Sequence, residues 1–504
     1  MLSTLLPDKE LTGSSRLLEE SPLVHPDELR TAFALAMSHM YKNEVPLYGD
    51  LVRIVQSGNH RFVTNAMGSS NDSLDRLTLE RHGAIRLGKP VELHTVRRIF
   101  ALLGMHAVGY YDLSVAGLPM HATCFRPVDT ASLAANPFRV FTTLLRPELI
   151  RSPEAHDLAL RLLKRRNIFS QELLHMLNVG EAVGGWFRVD QAEIFIREAL
   201  RTFSWAPVAE ATQTEYQLLQ AEHPILADIA SFRTAHINHL TPRTLDIDAA
   251  QAAMAAEGMP VKDRIEGPPR RKWPILLRQT SFLALEEKIR FKTRDSNSDQ
   301  SFPDASNVEL VDGSHKARFG EIEERGAAVT PAGRALYDQL LESSMHAVGE
   351  QRTSPDAVEA ALVDTFRAYP DTWDELREQE LVYVKYSFSG KLPSTAQLPS
   401  ESGSSVMSLI EQGVFETSPI TYEDFLPFSA AGIFQSNLNR KPQSLQGGGQ
   451  SDVEGLEHAL GCSVIDPDAL YAQAQKQSLE SSLLQLKYHL TASHKLLDSE
   501  LETI

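Results

Sequence analysis

Apolar residues recur every three to four positions in PDELRTAFALAMSHMY, Pro26 to Tyr41, and this spacing predicts the first helix of the chain. A second helical stripe runs through PVELHTVRRIFALLGM, Pro90 to Met105, opened by a proline and closed near a glycine. Between them, RFVTNAMGSSNDSLDRLTLERHGAIRLG is mixed: a polar Gly-Ser-Ser-Asn-Asp loop leads into a short apolar run. HAVGYYDLS and LPMHATCFRPV then carry aromatic and β-branched residues about a Gly-containing turn, the signature of two strands. Strand, helix and two or three further strands make a small α+β module over residues 26–146, behind an N-terminal extension of residues 1–25.

From Pro147 the periodicity turns helical, in PEAHDLALRLLKRRNIFSQELLHML and VDQAEIFIREALRTF, which predicts a helical insertion over residues 147–225. Strand-like text resumes in FRTAHINHLTPRTLDID, Phe232 to Asp248, followed by the helix candidate AAQAAMAAEG and by KWPILLRQTSFLA and KARFGEIEERGAAVT. The order strand, helix, strand, strand thus occurs twice, and a second α+β module is expected over residues 226–440 without a residue-level repeat. Thr293 to Asn307 and the SLQGGGQSD stretch near Gly447 are polar and read as exposed loops. Residues 441–504 read as a linker and an amphipathic helical tail that packs on the core or on a partner.

Composition narrows the function. The chain has 504 residues, enough for several domains, and its 42% apolar and 23% charged residues are those of a globular protein. A formal net charge of -17 argues against a phosphate backbone or an anionic membrane as the main partner, and points the arginine-rich islands towards a small anion. Two cysteines, Cys124 and Cys462, exclude a disulfide framework and a thiolate-rich zinc site. The N-terminus lacks a basic region and a long apolar run, and no segment approaches the roughly 20 apolar residues of a membrane span, so a cytoplasmic protein is expected.

Three short stretches carry candidate chemistry. In HGAIR, His82 and Arg86 lie four apart, an even spacing that turns an imidazole and a guanidinium to one side of a strand. In TAHINHLTPR, His236 and His239 lie three apart and would face opposite ways on a strand, so one of the two is the candidate ligand. In ARFGEIEERG, Phe319, Glu321 and Glu323 alternate against Gly320, Ile322 and Glu324, and a carboxylate among Phe, Gly and Ile calls for a cationic or metal partner. One histidine opening each module and one glutamate late in the second match the two-imidazole, one-carboxylate set of non-haem Fe(II) enzymes. The HExxH pattern of zinc proteases does not occur.

HGAIR at His82, HINHLTPRTLDID at His236, GPPRRKWPILLRQTSF at Gly267, ARFGEIEERG at Ala317 and FLPFSAAGIFQSNL at Phe425 resemble the 2-oxoadipate dioxygenase/decarboxylase family from about Thr31 to Leu438. The resemblance implies a vicinal-oxygen-chelate-like core of two modules curved round an Fe(II) site, related to hydroxyphenylpyruvate dioxygenase. Carried over, the ligands are His82, His239 and Glu321: INHLTPRTLD resembles the ligand strand of that enzyme, and FGEIEER its FLEVIQR. Glu324 stands where the family pattern leads one to expect glutamine. The implied reaction turns 2-oxoadipate and O2 into 2-hydroxyglutarate and CO2 in lysine breakdown. Arg86 would then neutralise a substrate carboxylate, and Arg278 and Ser429 are candidates for anchoring the far end. Two rival readings are another metalloenzyme of the same fold acting on a small 2-oxo acid, and a non-catalytic regulatory protein.

Overall fold

A computed structural model of the chain describes residues 22–65, 77–293, 309–348, 355–393, 403–426 and 451–501. Residues 1–266, 278–324 and 424–465 form one compact unit, and residues 267–277, 325–423 and 466–504 a second. This division departs from the linear one that the sequence suggests, because the expected second α+β module is cut after residue 324 and residues 325–423 belong to the other unit.

The first unit opens with helices α1 (Pro26–Glu44) and α2 (Pro46–Asn65). His25 caps α1, accepting from the Asp27 amide while Glu28 reaches back to the His25 amide. The fully buried Arg30 on α1 spends its guanidinium on the carbonyls of Asn136, Leu103 and Ser132 and pairs with Asp27 at 2.8 Å, which satisfies a charge that burial otherwise penalises. Next come strand β1 (Arg81–Leu87), helix α3 (Pro90–Leu102) and strands β2 (His106–Asp112), β3 (Met120–Arg126) and β4 (Arg139–Leu145). These elements form an α+β arrangement in which α2 and β4 are elements that the sequence reading did not single out.

Residues 147–225 are mostly helical, as their periodicity requires, with one strand, β5 (Val208–Thr212), inside them. Helix α4 (Pro224–Ser231) leads to the short strand β6 (His239–Pro242), helix α5 (Ile247–Ala256) and strand β7 (Leu277–Ser281). Residues 233–238, expected as strand, are irregular. An antiparallel pair, β8 (Glu286–Lys292) and β9 (Leu310–Lys316), leaves the main sheet to join β5 before β10 (Phe319–Arg325) returns to it. The expected loop at 293–307 lies, beyond Thr293, outside the described residues.

The main sheet has seven strands in the order β2-β3-β4-β1-β6-β10-β7. Within each half the opening strand runs parallel to the last, β1 beside β4 and β6 beside β10, and the two opening strands pair antiparallel. Both faces are covered. Ile85, Leu87, Val140, Leu144, Leu240 and Ile322 enter one core, while Ala84, Phe141, Leu145, Tyr111 and Phe425 enter another. Strands buried on two sides lose simple polar-apolar alternation, which is why HGAIR reads as an apolar run interrupted by His82 and Arg86.

The second unit carries an antiparallel pair, β11 (Val384–Phe388) and β12 (Phe415–Pro419), and the long helix α6 (Pro467–Leu501). Gln475 and Ser478 of α6 accept from the β11 amides of Val384 and Tyr386, and Leu486 is buried with Leu409, Val414 and Phe415. The tail therefore packs on its own unit.

Close packing behind β10 makes a stability prediction. A Cβ on Gly320 would meet Phe282 at 2.5 Å and Leu51 at 2.7 Å, both in the buried core. Gly320→Ala is expected to cost about 1–3 kcal/mol of overpacking, read as a lower denaturant midpoint at unchanged m-value.

Candidate metal centre

Three neighbouring strands bring the donor groups together. His82 is the second residue of β1, His239 the first of β6 and Glu321 the third of β10. Register sets their common side: His82 lies opposite Thr241, Ala84 opposite His239, and Phe319 beside His239. Since side chains alternate along a strand, His82, Ala84, Arg86, His239, Thr241, Glu321 and Glu323 share one face.

One ligand atom from each of His82, His239 and Glu321 lies within 4.8 Å of the others, and all three residues are buried. His82 Nε2 is 2.9 Å from Glu321 Oε2, and His239 Nε2 is 3.7 Å from the same oxygen. Thr241 Oγ1 and Gln279 Nε2 donate to Oε2 at 2.9 and 3.1 Å, fixing the carboxylate. Glu321 Oε1 is buried with no hydrogen-bond partner among the described residues. An anionic oxygen so placed, beside two imidazole nitrogens, fits a divalent cation of the first transition row.

An outer layer orients the donors. His82 Nδ1 stands 3.1 Å from Glu323 Oε2, and Arg139 donates to both oxygens of Glu323. A carboxylate behind a ligand imidazole fixes its ring and raises its basicity. Phe425 packs edge-on to His82 at 4.9 Å, Phe319 lies against His239 at 4.8 Å, and Arg139 sits over the Phe425 ring. These rings keep bulk water from the donors.

The pKa values of the two imidazoles are shifted in opposite directions. Burial lowers the His82 pKa, but Glu323 and Glu321 outweigh it and hold the group above its ordinary value. For His239 burial wins over the pull of Glu321, and its pKa falls to about 3, leaving a neutral ring. Burial favours the neutral acid of Glu321, yet the facing His239 and His82 hold it below its usual range.

His236 stands apart from this set. Its Nε2 is 3.1 Å from Asp228 Oδ1 in a second buried cluster with His315, and its ring packs against Trp205. Arg86 shares the face of the donors and its charge helps to depress the His239 pKa, while its Nη1 donates to Asp228 Oδ2 at 2.5 Å. Arg278 alternates with Gln279 along β7, so it points away from Glu321, and it donates to Asp248 and Glu324. The unexpected Glu324 thus serves as an ion-pair partner on that far face. Ser429 lies outside the described residues. Sequence reasoning missed Asp228, Thr241, Gln279 and Glu323 in their supporting roles; only Glu323, two residues from Glu321, had a spacing that signalled the same face.

A buried two-histidine, one-carboxylate set at the join of two βα modules defines a candidate mononuclear metal site. The profile of the 2-oxoadipate dioxygenase/decarboxylase family matches residues 33–437, and the chain belongs to that family. It is 45% identical over 466 residues to the 2-oxoadipate dioxygenase/decarboxylase of Pseudomonas putida, covering 91% of this chain and 97% of that one. The Escherichia coli protein of the same name is 46% identical over 464 residues, covering 90% and 97%. The crystal structure of the Pseudomonas putida hydroxyglutarate synthase in complex with 2-oxoadipate superposes with a TM-score of 0.79 at 43% identity, over 92% of this chain and 99% of that one. No helix among the described residues is long and apolar enough to cross a membrane.

Metal ligands bind deprotonated, so on the acid side of the raised His82 pKa loading with a divalent cation releases a proton from that ring. Release, measured by calorimetry in buffers of different ionisation enthalpy, should approach zero as pH rises through that pKa. By linkage, the same proton stabilises the metal-free fold on the acid side, and this stabilisation fades as pH rises through the folded-state value. Glu323→Gln should diminish the release and weaken metal affinity by about 10–100-fold in chelator competition.

Proposed function

We propose that this chain is an Fe(II)-dependent dioxygenase that converts 2-oxoadipate and O2 into 2-hydroxyglutarate and CO2. The observation that carries the reading is the buried convergence of His82, His239 and Glu321, with Glu321 Oε1 left for a cation. The names of the relatives supply the substrate class. Fe(II) in such a set supplies coordination positions for a 2-oxo acid and electrons for O2. The balance closes: C1 leaves as CO2, one oxygen atom completes the new carboxylate at the former keto carbon, and the other becomes the hydroxyl on the next carbon.

The chain's own residues bind and orient. Thr241 and Gln279 hold Glu321, and Glu323 with Arg139 holds His82, so the donors are placed before substrate arrives. Arg86 lies four residues along β1 from His82, about 13 Å between Cα atoms. That displacement suits the remote carboxylate of 2-oxoadipate, which a guanidinium can grip with two parallel hydrogen bonds. Arg278, on the other face, takes no part in this reading. The free cysteines Cys124 and Cys462 agree with a cytoplasmic setting.

Oxygen uptake by the anaerobically Fe(II)-loaded protein should match CO2 and 2-hydroxyglutarate one to one. His82→Ala, His239→Ala and Glu321→Ala should lose iron and turnover together, while His236→Ala keeps its iron. Iron lost from the His236 variant but retained in the His239 variant would overturn the ligand assignment.

Self-association through α6 rests on Leu484 and Tyr488, one turn apart and 68% and 72% exposed. Light scattering should give the mass of a multimer that Leu484→Glu reduces; the mass of a single chain at micromolar concentration removes this part of the reading.

A further inference from the structure

The cluster beside the metal centre has a use that the donor set does not explain. Asp228, on α4, is buried and accepts from four side chains. Arg86 Nη1 and Asn238 Nδ2 donate to Oδ2 at 2.5 and 3.2 Å, and His315 and His236 place Nε2 at 2.8 and 3.1 Å from Oδ1. Tyr216 Oη meets His315 Nδ1 at 2.7 Å, which lets that ring accept from the phenol and donate to Asp228. Trp205 stacks on His315 at 5.9 Å and meets His236 edge-on at 4.7 Å, closing the cluster on one side.

Asp228, His236 and His315 also present ligand atoms within 4.8 Å of one another, a spacing that a cation can use. The hydrogen bonding separates this cluster from the metal centre. Both oxygens of Asp228 are taken, one of them by a guanidinium, whereas Glu321 Oε1 has no partner among the described residues. A carboxylate saturated with donors is a bracket for the charge it holds.

We propose that Asp228 is the positioning residue for Arg86, and that the bracket formed with His236, Asn238 and His315 gives the protein its preference for 2-oxo dicarboxylic over 2-oxo monocarboxylic acids. This rests on the reading that Arg86 grips the remote substrate carboxylate. An arginine side chain has many rotamers, and freezing one of them before substrate arrives removes an ordering cost from binding. The bracket draws largely on elements other than the donor strands: α4 supplies Asp228 and β9 supplies His315, while His236 and Asn238 come from the segment that runs into His239.

Asp228→Asn tests this in the Fe(II)-loaded full-length protein, because it keeps the shape and removes the charge that orients the guanidinium. KM for 2-oxoadipate should rise by about tenfold with kcat changed less than about threefold, while kcat/KM for 2-oxohexanoate, which lacks the remote carboxylate, changes less than about twofold. Arg86→Lys should show the same selective loss, and the double variant should fall short of the product of the two effects. His315→Gln, which exchanges the ring donor held by Tyr216 for a flexible amide and leaves the ion pair, should show a smaller shift in the same direction and covers the case in which Asp228→Asn does not fold.

Equal losses on both acids in Asp228→Asn and His315→Gln would mean a structural role alone and overturn the proposal. A lower KM in Asp228→Asn would mean that Asp228 restrains the charge of Arg86 rather than aims it, and would also overturn it. So would a second equivalent of bound metal that His315→Gln abolishes. If Arg86→Lys is selective and Asp228→Asn is not, the positioning role fails alone; if Arg86→Lys leaves both acids unchanged, the substrate reading of Arg86 fails and the proposal with it.

Discussion

Pairing of β1 against β6 places the two histidines, and the sheet around them is arranged about that contact. Its register sets His82 opposite Thr241 and Ala84 opposite His239, so the imidazoles share a face at adjacent levels. A slip of one residue would turn His82 or His239 into the apolar core behind the sheet and expel Ile85 or Leu240 from it. Gly83 helps to hold the register, because a Cβ there would meet Ile237 at 2.6 Å and Leu240 at 3.0 Å. The parallel contact of β6 with β10, Phe319 beside His239, then brings Glu321 to the same face.

Burial gives the charges of this region their logic. A carboxylate sealed from water persists as an anion only where donors or cations replace its hydration. Glu323 has Arg139, Asp228 has Arg86 with three further side chains, and Asp424 has Arg126 at 2.7 Å. Glu321 differs, with neutral donors and His82 on one oxygen and no partner among the described residues on the other. The fold supplies counter-charges to its structural carboxylates and sets this one against His82, whose pKa Glu323 and Glu321 hold above its ordinary value. A cation bound by a deprotonated imidazole competes with the proton for it, so metal affinity at such a centre is linked to protonation.

Elements with one exposed face were legible in the amino-acid order, and those enclosed on both sides were less so. Helices α1 and α3 carry clear periods, as does the tail helix α6, whereas β2 and β3 were read from their aromatic and β-branched residues about a Gly-containing turn, β3 being buried along its whole length. Helix α2 went unseen because its text runs into a polar loop, and β6 was read too long because TAHIN mimics a strand while its backbone is irregular. The excursion of β8 and β9 to a different sheet depends on pairing with β5, some 80 residues earlier in the chain, which no local pattern records. His82, His239 and Glu321 came from motif resemblance, and alternation alone kept Glu321 and Glu323 together. Asp228 was invisible for a simple reason: ADIAS is an ordinary helical stretch, and its aspartate acquires meaning from side chains 8, 10, 87 and 142 positions away.

Arg86 joins these threads. A guanidinium on a strand covered on both faces cannot be left unpaired, since an isolated buried charge costs several kcal/mol more than it returns. Asp228 meets that need in the protein without substrate, and in doing so cancels much of the long-range pull that Arg86 would exert on an anion. What remains is direction: a planar donor fork held in one orientation near the donor face. On the reading proposed for Arg86, recognition by direction rather than by net charge would discriminate between a carboxylate at the right distance and one that is absent or displaced, because a guanidinium fork gains two hydrogen bonds only where the carboxylate meets it in plane. A chain carrying a formal charge of -17 gains little from broad attraction of a dianion, and under that proposal an arginine aimed in advance beside the His82, His239 and Glu321 set is the arrangement that such a chain can use.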